Sequence, residues 1–430
     1  PTTGDVPIAM MCRGSYDVGS GFGRMNFGNP PPDYSISSSE SDENGYGSFE
    51  YAPPTGYLAL CTNNLPNVDI ADPTEYFNTV TYTGTGSSQS ITGVGFQPDF
   101  TWIKIRNTAD AHGLVDSSRG ATKHLRSDSN ATEFTRATDV SSFDSDGFTV
   151  VSDAQFNGSS NTYVSWNWLV NGGTTTSFTE SGSNPGGTYQ ANTTSGFSII
   201  TYTGTGSAGT FPHGLGKRPK FIIFKARTAV ERPWIPSELI TGNANGGMLL
   251  DRTDAEYTLG TNNVDASQID STNIHVKTSG GVNTDGEDYV CWAWAEIEGY
   301  SKFGTYTGNS SSDGTFIYTG FKPAWVMTKA IFTQADSNNY NWWTIVDNTR
   351  SPYNNISLND GLFANSSNAE GNRYSGTGSG IAHMDFLSNG FKLRGTSYET
   401  NQSGTYIYMA FAEAPIKYGT GATSIEGTAR

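Results

Sequence analysis

Only three cysteines, Cys12, Cys61 and Cys291, occur in 430 residues, and none stands in a Cys-x-x-Cys or Cys/His spacing. A disulfide framework and a zinc site are therefore excluded as organising devices. Charge is scarce as well: 15% of residues are charged, with Lys+Arg 25 against Asp+Glu 41 and a net charge of −16. Such a surface offers no electrostatic grip on phosphate backbones or anionic lipid, so nucleic acid is not expected as a partner. No apolar run approaches the roughly 20 residues a membrane-spanning helix needs, the longest being pieces such as 221–224, so membrane insertion is not expected either. No span carries a helical period. Gly-x-Ser-x-Gly and Gly-x-x-x-x-Gly-Lys are missing, and no dinucleotide fingerprint stands between a strand and a helix, which leaves no motif for nucleophilic catalysis or nucleotide binding. The chain opens at Pro1 without an initiator Met or a charged-then-apolar leader, which reads as a processed N-terminus or the start of a fragment.

What is abundant is glycine (51 residues) and aromatic side chains (13%). Frequent turn-formers with aromatic apolar content suit short strands, not helices. The strongest signal is internal repetition. Tyr82-Thr83-Gly84-Thr85-Gly86 recurs as Tyr202-Thr203-Gly204-Thr205-Gly206 and, degraded, as Tyr306-Thr307-Gly308-Asn309. Each copy leads to a proline, Pro98, Pro219 or Pro323, followed two residues on by Phe100, Phe221 or Trp325 and six residues on by Lys104, Lys225 or Lys329. The lysines are expected on edge strands, where a charge discourages unwanted pairing.

Each copy closes on a period-two segment: Tyr163-Val164-Ser165-Trp166-Asn167-Trp168, Tyr289-Val290-Cys291-Trp292-Ala293-Trp294 and Tyr406-Ile407-Tyr408-Met409-Ala410-Phe411. One face is large and apolar in all three, so it must point into a core. Asp146-Gly147 and Asn389-Gly390, just upstream, suit tight hairpins; the second copy has Asn273-Ile274 there. The expected fold is all-β: three antiparallel β-sandwich modules in series at residues 71–173, 196–299 and 300–430, the last including a C-terminal tail. Residues 174–195, nearly all Gly, Thr, Ser and Asn, read as a linker running over a neighbouring surface.

The N-terminal stretches Met25-Asn26-Phe27-Gly28 and 47–66, the latter running Gly-Ser-Phe-Glu-Tyr-Ala-Pro-Pro-Thr-Gly-Tyr-Leu-Ala-Leu-Cys-Thr-Asn-Asn-Leu-Pro, resemble the closing strands of a SPRY-like domain in bacteriophage tail-fibre proteins. Tandem β-modules follow it there, opening with Tyr-Thr-Gly and ending near Phe-Ala-Glu-x-Pro, which here is Phe411-Ala412-Glu413-Ala414-Pro415. The resemblance covers nearly the whole chain and makes residues 1–70 a truncated SPRY-like segment. It implies a virion structural protein, a tail fibre or appendage in host attachment. The implied partners are other virion proteins and a host surface glycan or receptor, with trimerisation expected of fibre proteins generally. A capsid-decorating or head-fibre protein is the alternative.

No enzyme is expected. A polysaccharide depolymerase would need two carboxylates about 5 to 9.5 Å apart in a groove, and nothing nominates a pair among 41 acidic residues. The turns around Asp42-Glu43-Asn44, Asp144-Ser145-Asp146 and Asp285-Gly286-Glu287-Asp288 have oxygens that suit calcium, a side hypothesis beside the favoured reading of solvated hairpins. Modules one and three share Val115-Asp116-Ser117-Ser118-Arg119 and Val346-Asp347-Asn348-Thr349-Arg350. An Asp and an Arg so spaced suit sugar hydroxyls, against the favoured reading of a local turn. Module three alone inserts Tyr340 and Trp342 near this pair, so Tyr340, Trp342, Asp347 and Arg350 are the candidate glycan contacts.

Overall fold

The computed structural model describes residues 26–30, 35–64, 68–231, 233–258, 263–333, 341–352, 354, 361–371 and 384–415. They fall in two compact units, 1–68 with 417–430, and 69–416. In the first, Asp42 organises the chain: its carboxylate accepts N–H bonds from Asn44 (3.0 Å), Tyr46 (2.8 Å) and Ala59 (2.7 Å) and the amide of Asn64 (2.6 Å). Among the described residues of this unit there are an isolated bridge, Glu40 to Phe49, and a short 3-10 turn at Thr62–Asn64. Gly45, Gly47 and Gly56, all at positive φ, together with Pro53 and Pro54, break the extended backbone a ladder needs.

The second unit is all-β, built from antiparallel sheets. One five-strand order occurs three times. The opening strand (Phe77–Thr83, Phe197–Thr203 or Ser301–Gly308) pairs with the closing strand (Thr162–Trp168, Asp288–Trp294 or Gly404–Pro415). The closing strand pairs on its other side with the proline-led strand (Phe100–Ile105, Phe221–Ala226 or Phe321–Ala330), and two shorter strands extend the sheet from there. A small second sheet covers one side: Gln89–Ile91, Val140–Asp144 and Gly147–Val150 in the first repeat, Gly209–Pro212 with Asn273–Val276 in the second, and Phe316–Tyr318, Met384–Leu387 and Gly390–Leu393 in the third.

The two faces of each closing strand have different destinations. Tyr163, Tyr289 and Tyr406 point into the sandwich of their own repeat and stack on the opening tyrosines Tyr82, Tyr202 and Tyr306 at 4.9, 5.2 and 5.0 Å. The opposite face, with Trp166, Trp168, Trp292, Trp294, Met409 and Phe411, enters one core shared by all three repeats. Phe100 packs on Trp292 at 5.2 Å, Trp166 on Trp325 at 6.3 Å and Phe221 on Phe303 at 6.1 Å, so every pair of repeats meets there. Truncating one such fully buried aromatic costs about 3–5 kcal/mol.

Residues 174–195 are not a spacer. Thr176–Phe178 and Gly186–Asn192 are strands that extend the second repeat's sheet beyond its opening strand. Backbone hydrogen bonding to a preformed sheet edge orders a sequence too polar to fold by itself. The aligned lysines also lie elsewhere than expected: Lys104, Lys225 and Lys329 are fully buried on strands with a neighbour on each side. At Asp146-Gly147 the glycine starts the second strand of its hairpin instead of forming the turn. A Cβ there would meet the carbonyl of Ile91 at 1.9 Å, and at Gly390 that of Ile317 at 2.0 Å.

Candidate functional site

The two Asp–Arg pairs singled out from the sequence lie at the contacts between repeats, and those contacts run in a closed cycle. The N–H of Glu133 in the first repeat donates to the carbonyl of Arg227 in the second (2.8 Å). Glu256 of the second donates likewise to Ile331 of the third (3.1 Å), and Glu370 of the third to Arg106 of the first (2.7 Å). Residues 106, 227 and 331 each follow the repeat's proline by the same spacing. Two of the three contacts carry a side-chain pair as well: Glu133 takes Arg227 through both carboxylate oxygens at 3.0 Å, and Glu370 takes Arg106 at 2.5 Å.

The shared Asp and Arg complete those same contacts. Arg119 donates through Nε to Asp116 (2.6 Å) and through Nη1 to Glu133 (2.9 Å); Arg350 does the same to Asp347 (2.6 Å) and Glu370 (2.8 Å). Each aspartate then accepts an indole N–H from another repeat, Trp292 to Asp116 at 3.1 Å and Trp166 to Asp347 at 3.0 Å. The guanidinium groups lie over the same indoles, at 5.5 and 5.6 Å from the ring centres. Burial works against ionisation of Arg350, but Asp347 and Glu370 more than offset it and hold its pKa above the usual value. In the second repeat, which lacks the pair, Glu256 instead accepts Ser237 Oγ (2.5 Å), Thr241 Oγ1 (3.0 Å) and Asn243 Nδ2 (3.0 Å).

Asp347 and Arg350 are therefore buried between repeats and engaged within the protein, and neither presents its polar atoms to a sugar. A carboxylate and guanidinium buried together are retained only when paired, and the neighbouring repeat supplies the extra bonds that make burial tolerable. Trp342 is half-buried, its ring tilted against Phe363 at 5.1 Å. Tyr340 lies outside the described residues. The structure brings Asp347 and Arg350 together and does not join Trp342 to them through any hydrogen bond.

The acidic turns that suit calcium spend their carboxylates on protein donors. Asp146 accepts the N–H groups of Gly93 (3.1 Å) and Gly95 (2.7 Å), Asp144 the hydroxyls of Ser142 (2.8 Å) and Thr149 (2.7 Å), and Asp288 that of Thr203 (2.8 Å). Among the described residues no group of three His, Cys, Asp or Glu side chains is placed to hold a metal ion. No helix among them is long and apolar enough to cross a membrane.

Lys104 and Lys329 reach across repeats: Lys104 Nζ donates to the carbonyls of Ile105 (2.8 Å) and Ser367 (3.3 Å), and Lys329 Nζ to those of Asn341 and Arg252, the latter at 3.4 Å. Burial lowers the pKa of Lys104 to about 8, against the opposing pull of Asp128, Asp110 and Glu370. Burial also pushes the carboxyl of Asp128 up to about 6. Beside them, His112 accepts from Trp102 Nε1 at Nδ1 (2.8 Å) and faces the carbonyl of Phe363 with Nε2 (2.8 Å). This is the neutral Nε2–H tautomer, and burial holds its pKa well below the ordinary value.

Two sets of equivalent residues escaped sequence reasoning. Asn157, Asn283 and Asn401 each fold the Tyr-Thr-Gly loop of their repeat, accepting from the N–H of Thr85, Thr205 or Asn309 at 2.8 to 3.0 Å. Each also donates to a carbonyl in that loop, of Ser87, Ser207 or Ser311, at 2.6 to 2.8 Å. They stand six, six and five residues before the closing tyrosine, a spacing that could have revealed them. Glu133, Glu256 and Glu370 had no such signal, because they follow the repeat's proline by 35, 37 and 47 residues.

Fold and contacts together define an all-β protein whose three sandwich repeats close on a common aromatic core, with the Asp116–Arg119–Glu133 and Asp347–Arg350–Glu370 clusters at the contacts between them. A family model described as Domain of unknown function (DUF7483) matches residues 72–415, and the chain belongs to that family. The matched span coincides closely with the second compact unit. No curated protein matches the chain.

Proposed function

We propose that the chain is a non-enzymatic structural protein of a bacteriophage particle, a tail fibre or appendage that mediates host attachment and contacts a host surface glycan. The observation that carries this reading is the use of the buried charges. Asp116, Arg119, Asp347, Arg350, Glu133 and Glu370 are consumed in contacts between repeats, an investment in rigidity and not in chemistry. The tail-fibre resemblance supplies the setting. The acidic, sparsely charged composition, with a net charge of −16, suits an extracellular particle surface.

Trimerisation of the chain, expected of fibre proteins, would use surfaces other than the tryptophan faces, since the three repeats already bury these on one another. Antibody-labelled electron microscopy of the intact particle tests the reading. Label at a distal tail appendage is the expected result, with purified chain competing for adsorption of the particle to host cells. Label on the head lattice or vertices would overturn it in favour of capsid decoration.

A further inference from the structure

The outer face of the small sheet in the third repeat differs from its two counterparts in a way the fold does not require. Strand Phe316–Tyr318 turns Ile317 inward beside Phe391 and leaves Phe316 and Tyr318 outward, 41% and 60% exposed. At the position of Phe316 the first repeat carries Ser90 opposite Thr149 and the second Thr210 opposite His275, and at that of Tyr318 the second carries Pro212 opposite Asn273. Only the third repeat places aromatic rings there. Phe316 lies over the backbone of Gly390, and together the two exposed rings make an apolar patch on a face that is polar in the other repeats.

The surroundings narrow down what that is. Phe316 stands opposite Lys392, and Tyr318 stands opposite Gly390, which has no side chain to cover its ring. Successive outward residues on one strand lie about 7 Å apart, so a flat ligand can lie across both rings. Beside them Lys392 pairs with Asp313 at 2.8 Å, and Asp385, opposite Lys392 on the next strand, holds Arg394 at 2.5 Å. Among the described residues these two acidic and two basic groups leave the face without net charge, which suits a neutral ligand. Arg394 brings five N–H donors, of which Asp385 takes the one on Nε, so hydroxyl-binding capacity lies next to the rings.

The strands are three, four and four residues long. At about 3.4 Å per residue and 4.8 Å between strands these described strands present a face of roughly 10 by 13 Å. One or two sugar rings fit it.

We propose that this face is a saccharide-binding platform, on which Tyr318 and Phe316 stack against the C–H face of a neutral pyranose while Lys392, Asp385 and Arg394 hydrogen-bond its hydroxyls. The proposal rests on the reading of the chain as a host-glycan-contacting protein, and it moves the contact from Trp342, Asp347 and Arg350 to this sheet. The test is an array of neutral gluco-, galacto-, manno- and N-acetylglucosamine hexasaccharides probed with the purified chain, followed by fluorescence titration of the bound member. Tyr318→Ala is expected to weaken binding about tenfold and Tyr318→Phe to retain it. Both should match the parent in melting temperature, because the ring buries little surface. Binding of none of the array, or equal binding by Tyr318→Ala, overturns the proposal. The appendage reading fails separately: tail label without saccharide binding removes the platform alone, and head label with Tyr318-dependent binding removes the appendage alone.

Discussion

The indole N–H of Trp166 in the first repeat donates to Oδ2 of Asp347 in the third at 3.0 Å, and Arg350 holds the same oxygen at 2.6 Å while its guanidinium lies over the indole. One aspartate thus ties together a local turn, a buried cation and the closing strand of another repeat. Trp292, Asp116 and Arg119 repeat the arrangement between the second and first repeats.

Replacing Trp166 by Phe keeps a large ring in the core and removes the donor. The loss is expected to cost about 1–3 kcal/mol, for one buried hydrogen bond to a charged acceptor plus the volume of the smaller ring. Thermal unfolding would register it as a melting temperature lower by several degrees. An unchanged melting temperature would mean that the bond contributes nothing to closure.

Because the tryptophan faces of all three repeats share one core, residues 69–416 should unfold as one cooperative unit. Calorimetry of the whole chain is expected to show a single main endotherm for this unit. Residues 71–173 made alone would expose Trp166, Trp168 and Phe100 to water and are expected to lack the near-ultraviolet dichroism of fixed aromatic packing. Three independent transitions, or a folded fragment, would show that the repeats are self-sufficient.

Buried Lys104 and half-buried Asp128, each feeling the other's charge, predict two separate pH windows. Asp128 has its folded pKa raised to about 6, so between about pH 4 and 6 the native state binds more protons than the unfolded one, and stability falls as pH rises. Lys104 has its folded pKa lowered to about 8, so between about pH 8 and 10.4 the unfolded state binds more protons, and stability rises with pH. Denaturant titrations should show Asp128→Asn flattening the lower window and Lys104→Met the upper, each by on the order of 3 kcal/mol. Unaltered slopes would place the linkage on other groups.

Ion pairs of different burial should differ sharply in worth. Glu133→Ala leaves the buried Arg119 and the largely covered Arg227 without their shared carboxylate, an expected loss of about 2–4 kcal/mol. Asp254→Asn breaks the exposed pair with Arg252, at 3.4 Å, and is expected to stay within about 0.5 kcal/mol. Chemical denaturation of both variants in parallel checks the contrast. Equal effects would mean that the contacts between repeats carry no special energy.

The sequence by itself determined the repeat and its strands. Period-two alternation in 163–168, 289–294 and 406–411 marks which side chains share a face, since in an extended backbone the covalent geometry alone decides this. It also determined that Val, Trp, Ile, Met and Phe on that face must leave water. Which core they enter was a matter for the tertiary structure, because alternation says that a face is buried and not against what. Trp166 and Tyr163 look alike as buried aromatics, yet one meets Trp325 of another repeat and the other Tyr82 of its own.

The same limit governed the polar residues. Asp347 and Arg350 were legible as a turn pair because they lie three residues apart, whereas Trp166, 181 residues away, became their partner only once the cycle of repeats had closed. Lys104 and its aligned partners looked like edge guards because a lysine is costly to bury, a cost met here by carbonyls that loops of other repeats bring to Lys104 and Lys329. Strands 176–178 and 186–192 have no apolar pattern, since the hydrogen bonds of a waiting sheet edge define them and not their side chains. Local spacing decides what a segment can become; the identity of its neighbour, with the desolvation and pairing that follow, exists only in the folded chain.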